Sequence, residues 1–558
     1  MAQTLKDVMI ERLVSGLKRT AVKKPSKWAE LYRELPTGRW SFKHYPWLKE
    51  MHDSTAEYNV GQKAAQMGFT EMLLNLSFYG IDIRGFDCLY LVPTKTPFAT
   101  DFSAGRFGPA LALSTHLQNL FTDTDNVGHK RAGAANLYVR GSQSRSGLKG
   151  LPINYLMMDE LAEFVEENIP LAFARTDGQL EKLIWMISTP THEGHGIGVY
   201  WDKSDKRHFF FKCPSCSRRI ELKFPESVVM CGIDEHDPDV NKSHLICYEC
   251  KAVLPHDEKH LWLADNLWVP ELPGRDIAGF TVSQLYSYTV TPQQLVKFYY
   301  ESLHNVAFEV EFFNSKLGMP HIVKGHRVND DDLDYCIMHG RTFNGEKLRK
   351  SLEAGNFRGH LMTMGVDVGP RKIHYEIAKW DVDSSKYHGD IHSCSTPVVA
   401  THGTVEHFEE LDKLMDDYGI ISCVIDGNPE RRKAAEFAKR YFGRVRLCFF
   451  GRNISGKTYV DSKIEYNGDP VIMVDRTTWL DQALGRFINH TISIPMDTDL
   501  EYRTQIKEPV KTYKLDGDGN PVATYITSNG RDDHYAFSRC YNEMALMFAA
   551  AIGANQDM

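Results

Sequence analysis

The sequence contains no apolar run long enough to cross a membrane, no low-complexity tract and no internal repeat. A membrane-spanning helix needs about 20 consecutive, mostly apolar residues. The opening stretch, Met1–Asp7, also lacks the apolar region of a secretory signal peptide. We therefore expect a cytosolic protein that has no membrane partner.

An excess of positive charge is also missing, because 73 acidic residues outnumber 65 basic ones and the formal net charge is −8. This balance argues against a protein coated in positive charge. It is compatible with an enzyme that contacts DNA through a local basic groove around acidic metal sites. The 558 residues suffice for roughly three to four domains, each with its own core.

Cysteine is sparse, and only four of the eleven cysteines stand in pairs with CxxC spacing. The pairs are Cys213-Pro-Ser-Cys216 and Cys247-Tyr-Glu-Cys250. Each pair places two thiolates on one turn, and four thiolates suit a tetrahedral, structural Zn²⁺ with no open position for catalysis. Three residues between the pairs are alternative ligands: Cys231, His236 and His244.

A standard phosphate-binding loop, G-x-x-x-x-G-K-[ST], is absent, but an altered one is present at Lys63–Glu71. Gly68 and Thr70 occupy the second glycine and hydroxyl positions, while Phe69 occupies the usual lysine position. Lys63 stands where the first glycine belongs and could reach a β- or γ-phosphate from the other side. Taken alone, Lys63 is equally typical of an exposed lysine at a strand end.

Short apolar runs alternate with amphipathic ones from about residue 57 to 191, which predicts a parallel α/β sheet. A helix is expected at Thr70–Tyr79. The predicted strands are Tyr58–Gln62, Cys88–Pro93, Leu137–Gly141, Tyr155–Asp159 and Leu183–Ser188.

This arrangement predicts a site for ATP with Mg²⁺ at the strand ends. Backbone N–H groups and a helix N-terminus hold phosphates, because unpaired donors and the helix dipole favour an anion there. Thr70 and Asp159 would ligate the Mg²⁺, and Glu160 would orient or deprotonate the attacking water. Ser188-Thr-Pro-Thr191 would sense the γ-phosphate.

A second α/β pattern begins at Leu361–Asp367 and runs to about residue 550. Asp367 lies within an apolar strand, Asp426 ends a later one, and Asp532 and Asp533 precede a predicted C-terminal helix; we favour Asp533 as the third ligand. An RNase H-like fold brings three such acids together around two Mg²⁺ or Mn²⁺ ions about 4 Å apart. Singly, each aspartate is equally typical of a turn or a helix cap.

Basic residues cluster beside the second acidic set, in Arg431–Lys433 and Lys439–Arg446. Such a cluster is typical of a solvated helix face. The alternative interpretation is contact with the DNA backbone beside the metals.

The chain divides into six predicted segments. These are an N-terminal helical, adenine-side segment (1–55), a P-loop ATPase core (56–204), a zinc-binding insertion (205–260), a mostly helical subdomain (261–325), a linker (326–355) and a nuclease domain (356–558).

These motifs in combination resemble the large terminase subunit of tailed bacteriophages, in particular its lambda-type branch. The resemblance covers roughly residues 36–550. The resemblance depends on these segments: Lys63–Glu71, Tyr155–Phe164, Ser188–Pro190, the two cysteine pairs, Ala278–Tyr286, Phe313–Pro320 and Gly365–Asp367.

The resemblance implies an ASCE-type P-loop ATPase with a zinc-knuckle insertion, followed by an RNase H-like nuclease. The ATPase would drive DNA into a procapsid and the nuclease would cut concatemeric DNA. Implied ATPase residues are Lys63, Gly68, Thr70, Asp159 and Glu160. Implied nuclease residues are Asp367, Asp426 and Asp533.

Other residue roles follow from the same resemblance. Tyr45, or Trp47 in the same segment, would stack on the adenine. In the family, a basic residue acts on the nucleotide of a neighbouring subunit, and Lys149 occupies that position here. Lysine lacks the bidentate guanidinium of arginine. Arg140 and Arg145 are alternatives for this role.

The implied partners are double-stranded DNA, the small terminase subunit, the portal of the procapsid and further copies of the chain in a ring, in the cytoplasm of the infected host. Two other hypotheses fit the residues: a helicase-like remodelling ATPase with a non-cleaving C-terminal domain, and a zinc-ribbon DNA-binding or scaffold protein.

Overall fold

The computed structural model describes residues 22–94, 98–122, 124–323, 325–338, 361–383, 390–451, 459–461, 470–515, 521–527 and 531–556. The chain forms two compact units, residues 1–321 and 322–558. Parts of the predicted segments 1–55 and 326–355 lie outside the described residues. No helix in the described ranges is both long enough and apolar enough to cross a membrane.

The first unit contains sixteen strands and eleven α-helices in its described part. The strands are β1 (Glu34–Leu35), β2 (Gly38–Arg39), β3 (Tyr58–Lys63), β4 (Cys88–Val92), β5 (Thr124–Asn126), β6 (His129–Ala132), β7 (Ala135–Gly141), β8 (Tyr155–Asp159), β9 (Leu183–Ser188), β10 (Arg207–Lys212), β11 (Arg219–Ile220), β12 (Val228–Val229), β13 (His244–Ile246), β14 (Val253–Leu254), β15 (Asn266–Pro270) and β16 (Ile277–Val282). The helices are α1 (Pro25–Tyr32), α2 (Trp47–His52), α3 (Phe69–Tyr79), α4 (Thr100–Phe102), α5 (Gly108–Leu113), α6 (Thr115–Leu120), α7 (Ile169–Phe173), α8 (Ile197–Trp201), α9 (Lys259–Trp262), α10 (Pro292–Ser302) and α11 (Val306–Glu311).

One large sheet organises this unit, with the strand order β11-β10-β16-β3-β9-β8-β4-β7-β6-β5 and with β15 paired to β10. From β16 to β7 every neighbouring pair is parallel. The five strands and the helix expected between residues 57 and 191 are all present, with ends within two residues of the predicted ones. The carboxyl ends of parallel strands share one edge of a sheet, where ligands bind in such folds.

The expectation of a mostly helical segment at 261–325 is wrong for its first half. Strand β15 pairs with β10, and β16 pairs along its whole length with β3. The Ile277–Val282 run is apolar and short, so its periodicity does not separate a strand from a buried helical turn. Gly279 lets this strand lie against Ser204 and Trp201, since an ideal Cβ there would come within 2.7 Å of the Ser204 Cβ and 3.1 Å of the indole. The helices α10 and α11 follow as expected.

The segment around the cysteine pairs forms a small subdomain. Strands β12 and β13, between the pairs, and β14, after the second pair, make a separate three-stranded antiparallel sheet.

The second unit contains nine strands and six helices in its described part. The strands are β17 (Leu361–Val368), β18 (Ile373–Val382), β19 (Ser395–Val405), β20 (Ser422–Asp426), β21 (Val445–Phe450), β22 (Val460–Asp461), β23 (Val471–Val474), β24 (Val510–Leu515) and β25 (Pro521–Ile526). The helices are α12 (Asp330–Met338), α13 (Phe408–Asp417), α14 (Arg431–Arg440), α15 (Arg476–Ile488), α16 (Leu500–Lys507) and α17 (His534–Gln556).

The main sheet of this unit has the order β19-β18-β17-β20-β21-β23-β22. Strand β18 is antiparallel to both of its neighbours, β17 and β19. On the other side of β17, β20 pairs parallel with β17, and β21 pairs parallel with β20. Three antiparallel strands followed by two parallel ones, in the order 3-2-1-4-5, form the RNase H-like arrangement. The predicted α/β fold class is therefore confirmed for both units, and the zinc-binding character of the insertion remains a prediction.

Helix α17 packs directly on β17 at Gly365. An ideal Cβ at this glycine would come within 2.8 Å of the Asn542 Cα and closer still to backbone atoms of the helix. Backbone atoms cannot move aside as a flexible side chain can, so the close approach requires glycine here.

A fully buried ion network joins the same helix to β18. The Arg539 guanidinium donates to the carboxylates of Glu376 at 2.6 Å and of Glu543 at 2.7 Å. Glu543 also accepts from Arg486 at 2.6 Å. Each buried charge is thus paired and hydrogen-bonded, which buried ions require.

Candidate functional site

The altered phosphate-binding loop connects β3 to α3. Gly68 has a left-handed φ of 84°, and an ideal Cβ there would lie 2.8 Å from the Leu48 Cδ1. Phe69, in the usual lysine position, is 1% exposed. Its ring lies against Gly61, where a Cβ would come within 2.7 Å. The side chain at position 69 therefore belongs to the core, which leaves the phosphate contact to another lysine.

Lys63 supplies a positive charge at this loop from the end of β3. It is 5% exposed, and its Nζ lies 3.0 Å from the Glu160 Oε1. Glu160 follows β8 with a left-handed φ of 58°. A non-glycine residue in this conformation is strained, and such strain clusters at functional sites. Ser188, at the end of β9, donates to the Glu160 Oε2 at 3.4 Å.

Asp159 and Thr70 meet as expected for a Mg²⁺ site. The Thr70 hydroxyl donates to the Asp159 Oδ2 at 2.9 Å. Asp159 is 2% exposed, and burial, with the neighbouring Glu160 charge, raises its pKa to about 6. Its Oδ1 is buried and has no hydrogen-bond partner among the described residues. An unpartnered carboxylate oxygen is a ligand that Mg²⁺ prefers, so these residues fit the ion.

Tyr90 is a member of this site that sequence reasoning missed. Its hydroxyl donates to the Asp159 Oδ2 at 2.8 Å from the middle of β4. In the sequence Tyr90 lies in an apolar run and is indistinguishable from a core aromatic. Its phenol is the only polar group in Cys88–Val92 besides the thiol, and that was the available signal.

The loop is braced by two segments that follow the insertion. The Ala65 N–H donates to the Ser315 carbonyl at 2.7 Å, and the Gln284 amide donates to the Ala65 carbonyl at 2.9 Å. Gln62 donates to the Gly318 carbonyl at 3.3 Å. These contacts hold the first half of the loop and leave the half next to α3 for a ligand.

Tyr45 and Trp47 differ in accessibility. Trp47 is fully buried and its indole N–H donates to the Met67 carbonyl at 2.9 Å. Trp47 therefore supports the loop from the protein interior and cannot stack on an adenine. Tyr45 is half-buried, and its ring lies 3.2 Å from the position of a Cβ on Gly68. Only Tyr45 of the two remains a candidate for the base.

The three basic candidates for a trans-acting role lie on β7 and the loop that follows it. Lys149 and Arg145 are exposed. Arg140 is half-buried and donates to the Gly128 carbonyl at 2.7 Å. Exposure at the carboxyl edge of the sheet favours Lys149 and Arg145 over Arg140.

The four paired cysteines converge, with all four Sγ atoms within 4.8 Å of one another. The Sγ atoms of Cys213 and Cys250 lie 3.9 Å apart, as do those of Cys216 and Cys247. Tetrahedral Zn²⁺ with Zn–S bonds of about 2.3 Å separates sulfurs by about 3.8 Å, so the geometry fits zinc. A hydrogen bond from the Ala252 backbone lowers the pKa of Cys250 to about 7, whereas burial raises the pKa of Cys247. None of Cys231, His236 and His244 belongs to this cluster.

Asp367 and Asp426 lie on adjacent parallel strands of the second unit. Val366 pairs with Ile425, so the two aspartates follow at neighbouring positions. Burial raises the pKa of Asp367. Burial and the Asp367 charge raise the pKa of Asp426 to about 7. Carboxylates crowded in this way are stabilised in their charged form by a divalent cation, so the donor set fits one.

Asp533 and Asp532 precede α17 and differ in position. The charge of Asp533 contributes to the raised pKa of Asp367. The Thr527 hydroxyl donates to the Asp533 Oδ2. The Asp532 side chain is 74% exposed. Asp532 Oδ1 lies 3.9 Å from the His534 Nε2, so both acids lie beside the contact between His534 and Asp367.

Two histidines at this site were missed by sequence reasoning. The His534 Nδ1 lies 2.7 Å from the Asp367 Oδ2, and the His374 and His534 rings stack with centroids 4.4 Å apart. One ligand atom from each of Asp367, His374 and His534 lies within 4.8 Å of the other two. Burial lowers the pKa of His374 to about 4, whereas the hydrogen bond to Asp367 raises the pKa of His534.

The histidines carried little signal in the sequence. His374 faces Asp367 across the β17–β18 hairpin and His534 is 167 residues from Asp367, so no motif spacing links the three. The position of His534 directly after the Asp532–Asp533 pair was the one available indication.

Part of the chain matches the model of a known protein family. Residues 35–268 match the family model described as the phage terminase large subunit gpA, ATPase domain. No curated protein matches the chain in sequence.

Several solved structures of large terminases match the chain with low sequence identity and low TM-scores. The large terminase of a thermophilic bacteriophage is 12% identical over 91% of this chain and 99% of that chain, with a TM-score of 0.31. The ATPase domain of the Thermus phage P74-26 large terminase is 14% identical over 48% and 91%, with a TM-score of 0.27. The large terminase nuclease of the thermophilic phage G20c is 13% identical over 33% and 82%, with a TM-score of 0.21.

The family match and the residues of the site agree. The segment that matches the family contains Lys63, Thr70, Asp159 and Glu160, which the fold brings to one sheet edge. Residues 35–268 are thus similar to the ATPase domain of the phage terminase large subunit gpA family.

Proposed function

We propose that the chain is a DNA-packaging terminase large subunit of the lambda-type branch. ATP hydrolysis in the first unit drives DNA translocation into a procapsid, and a two-metal nuclease in the second unit cuts concatemeric DNA. The observation that carries the proposal is the pairing of Lys63 with Glu160 beside the Thr70–Asp159 contact, within the segment that matches the ATPase family.

In the ATPase site each residue has a defined task. Bound ATP with Mg²⁺ supplies the reacting phosphoryl group, and the Gly68 turn with the start of α3 presents backbone N–H groups to phosphate. Thr70 and Asp159 hold the ion. Lys63 neutralises phosphate charge, and Glu160 accepts the proton of the attacking water while Ser188 positions its carboxylate.

Two further residues complete the ATPase site, one at the adenine base and one from a neighbouring subunit. Tyr45 stacks on the adenine beside Gly68. Lys149, with Arg145 as its alternative, reaches the nucleotide of the next copy in a homo-oligomeric ring.

In the nuclease site Asp367, Asp426 and Asp533 hold two Mg²⁺ or Mn²⁺ ions. Bound there, the ions would supply positive charge to the reacting phosphodiester. The exposed Arg431–Lys433 segment of α14 follows Asp426 in sequence and contacts the backbone of double-stranded DNA.

The four-cysteine cluster holds a structural Zn²⁺ that fixes the insertion. The remaining partners are the small terminase subunit and the portal of the procapsid, to which the protein docks transiently in the cytoplasm of the infected host.

Two isosteric variants test the proposal. Glu160→Gln abolishes ATP turnover and leaves Mg²⁺- or Mn²⁺-dependent DNA cleavage intact, whereas Asp367→Asn does the reverse. Equal loss of both activities in both variants contradicts two separate sites. DNA-stimulated ATPase activity without cleavage under any divalent metal would instead identify a helicase-like remodelling ATPase.

A further inference from the structure

We infer that Gln284 is a positioning residue of the ATPase site. It holds the Ala65–Gln66 peptide in the orientation that presents the Gln66 N–H to a nucleotide phosphate, and Tyr286 ties this contact to the base of the cysteine-paired subdomain. The inference deepens the proposed ATPase function, on which it rests, by naming residues outside the loop that set the shape of the loop.

The loop contains a strained residue whose neighbours are held from the protein interior. Gln66 has a left-handed φ of 62° although it is not glycine. Such a conformation persists only where the surrounding structure fixes it. The Gln284 Nε2 donates to the Ala65 carbonyl at 2.9 Å, and the Trp47 indole donates to the Met67 carbonyl at 2.9 Å. The backbone is therefore fixed by side chains on both sides of Gln66.

The Gln284 contact decides where the Gln66 N–H points. The peptide between Ala65 and Gln66 is trans, so its C=O and N–H point in opposite directions. With the carbonyl bound to a buried amide, the N–H is directed away from the interior. None of the described residues accepts a hydrogen bond from it, and Gln66 itself is exposed. The N–H is thus available to a phosphate oxygen, the anion that backbone donors bind at such loops.

The Gln284 side chain is costly to the fold unless its contact with the loop matters. It is 2% exposed, and its Oε1 is buried without a hydrogen-bond partner among the described residues. A buried, unpaired acceptor costs free energy and calls for an explanation such as a functional role. Exchange of the amide N and O would set two acceptors face to face at Ala65, so the contact also fixes which amide atom meets the loop.

Tyr286 anchors the turn that carries Gln284. Both residues belong to a single helical turn, and Tyr286 is 3% exposed. Its hydroxyl donates to the Phe209 carbonyl and accepts from the Leu222 N–H, both at 2.7 Å. Phe209 lies on β10, which leads directly into Cys213, and Leu222 follows β11. The strands at the base of the cysteine-paired subdomain therefore hold the turn against the phosphate-binding loop.

Nucleotide binding by the full chain tests the role of Gln284. Gln284→Met keeps the length of the side chain but removes the donor. We expect the dissociation constant of the fluorescent analogue mant-ATP, measured with Mg²⁺, to rise about fivefold or more, because a loop that is no longer preset must be ordered on binding. The hydrolysis rate at saturating ATP should stay within about twofold. The unfolding temperature should change little, because the substitution also removes the unpaired oxygen.

Gln293→Met is the matched control. Gln293 also donates to a backbone carbonyl, that of Ser243 at 2.8 Å, but it does not contact the loop. Its substitution should leave the mant-ATP affinity unchanged. Equal affinity in Gln284→Met and the wild type, or an equal loss in Gln284→Met and Gln293→Met, overturns the inference.

A double-mutant cycle tests the link through Tyr286. Tyr286→Phe should weaken mant-ATP binding, and its combination with Gln284→Met should bind no more weakly than the weaker single variant, because both act on one contact. Independent, additive effects overturn the link. If Tyr286→Phe fails to fold, Gln284→Met and its control decide the inference. A wild type that neither binds mant-ATP nor hydrolyses ATP removes the proposed ATPase site together with this inference, whereas an active wild type with an unaltered Gln284→Met removes the inference alone.

Discussion

The Lys63 ammonium group and the Glu160 carboxylate form an ion pair with 3.0 Å between Nζ and Oε1, although 97 residues separate them in the chain. Both follow strands of one parallel sheet, so the fold rather than the loop sequence joins them. The pair places a positive charge and a candidate base at the same strand ends as the Thr70–Asp159 contact.

Lys63→Ala should lower the rate of ATP hydrolysis by at least about 100-fold, because it removes a preorganised charge from the transferring phosphoryl group. The measurement is steady-state phosphate release. The control Lys27→Ala, which removes an exposed lysine paired with Glu30, should leave the rate unchanged.

Adding Phe69→Lys to Lys63→Ala should not restore activity, because position 69 faces the core. Full ATPase activity in Lys63→Ala alone would show that the displaced lysine does not contact phosphate.

Tyr90→Phe should raise the Mg²⁺ concentration needed for half-maximal ATPase activity by about tenfold, with the rate at saturating Mg²⁺ little changed. The phenol donates to the Asp159 carboxylate, and a hydrogen bond to a charged group contributes about 1.5–3 kcal/mol. Tyr138→Phe, on the neighbouring strand β7, is the matched control. An unchanged Mg²⁺ dependence in Tyr90→Phe would remove its positioning role.

Purified protein should contain about one zinc ion per chain by elemental analysis. Cys247→Ser should lose the metal and lower the unfolding temperature, since structural zinc contributes folding free energy. Cys231→Ser keeps the four clustered thiols and should retain the zinc. Zinc-free wild-type protein would refute the four-cysteine site.

The contribution of His52 to the stability of the ATPase unit should fall as the pH falls from about 6.5 to 4, and the raised pKa of Asp159, about 6, opposes it over part of this range. Burial lowers the pKa of His52 from 6.5 to about 4. At His52 the unfolded chain therefore binds more protons than the folded one in this range. The contribution of this group to the free energy of unfolding decreases by up to about 3 kcal/mol as the pH decreases.

The His52→Gln variant should show a flatter pH profile in urea unfolding at pH 7 and 5. Position 52 contacts the Leu48 carbonyl and Asn75, and a glutamine amide can serve both. An equal pH dependence in the variant and the wild type would assign the acid sensitivity to other groups.

The local features of the first unit could be predicted from the sequence because each strand is a short apolar run followed by a polar residue. Lys63, Asp159 and Ser188 end their strands in this way, and parallel topology makes strand ends converge. The strand at Ile277–Val282 could not be predicted, since its identity depends on pairing with β3 more than 200 positions earlier.

The parts of the sites that sequence reasoning missed depend on side-chain contacts between distant elements. Tyr90 contacts Asp159 only because β4 and β8 are neighbours in the sheet. His374 and His534 meet through a hairpin and a helix end. The local sequence gives only weak signals for them, the Tyr90 phenol within an apolar run and the position of His534 directly after Asp532–Asp533.

The buried network of Arg539, Glu376 and Glu543 restricts how this nuclease fold can change over evolutionary time. Loss of Arg539 leaves the Glu376 carboxylate without a cation in the interior, which costs more than the network contributes when intact. Glu376 and Arg539 are 163 residues apart, yet neither is free to drift alone. Replacement of the network by apolar side chains would thus require coordinated substitutions on β18 and α17, with single-step routes passing through unstable proteins.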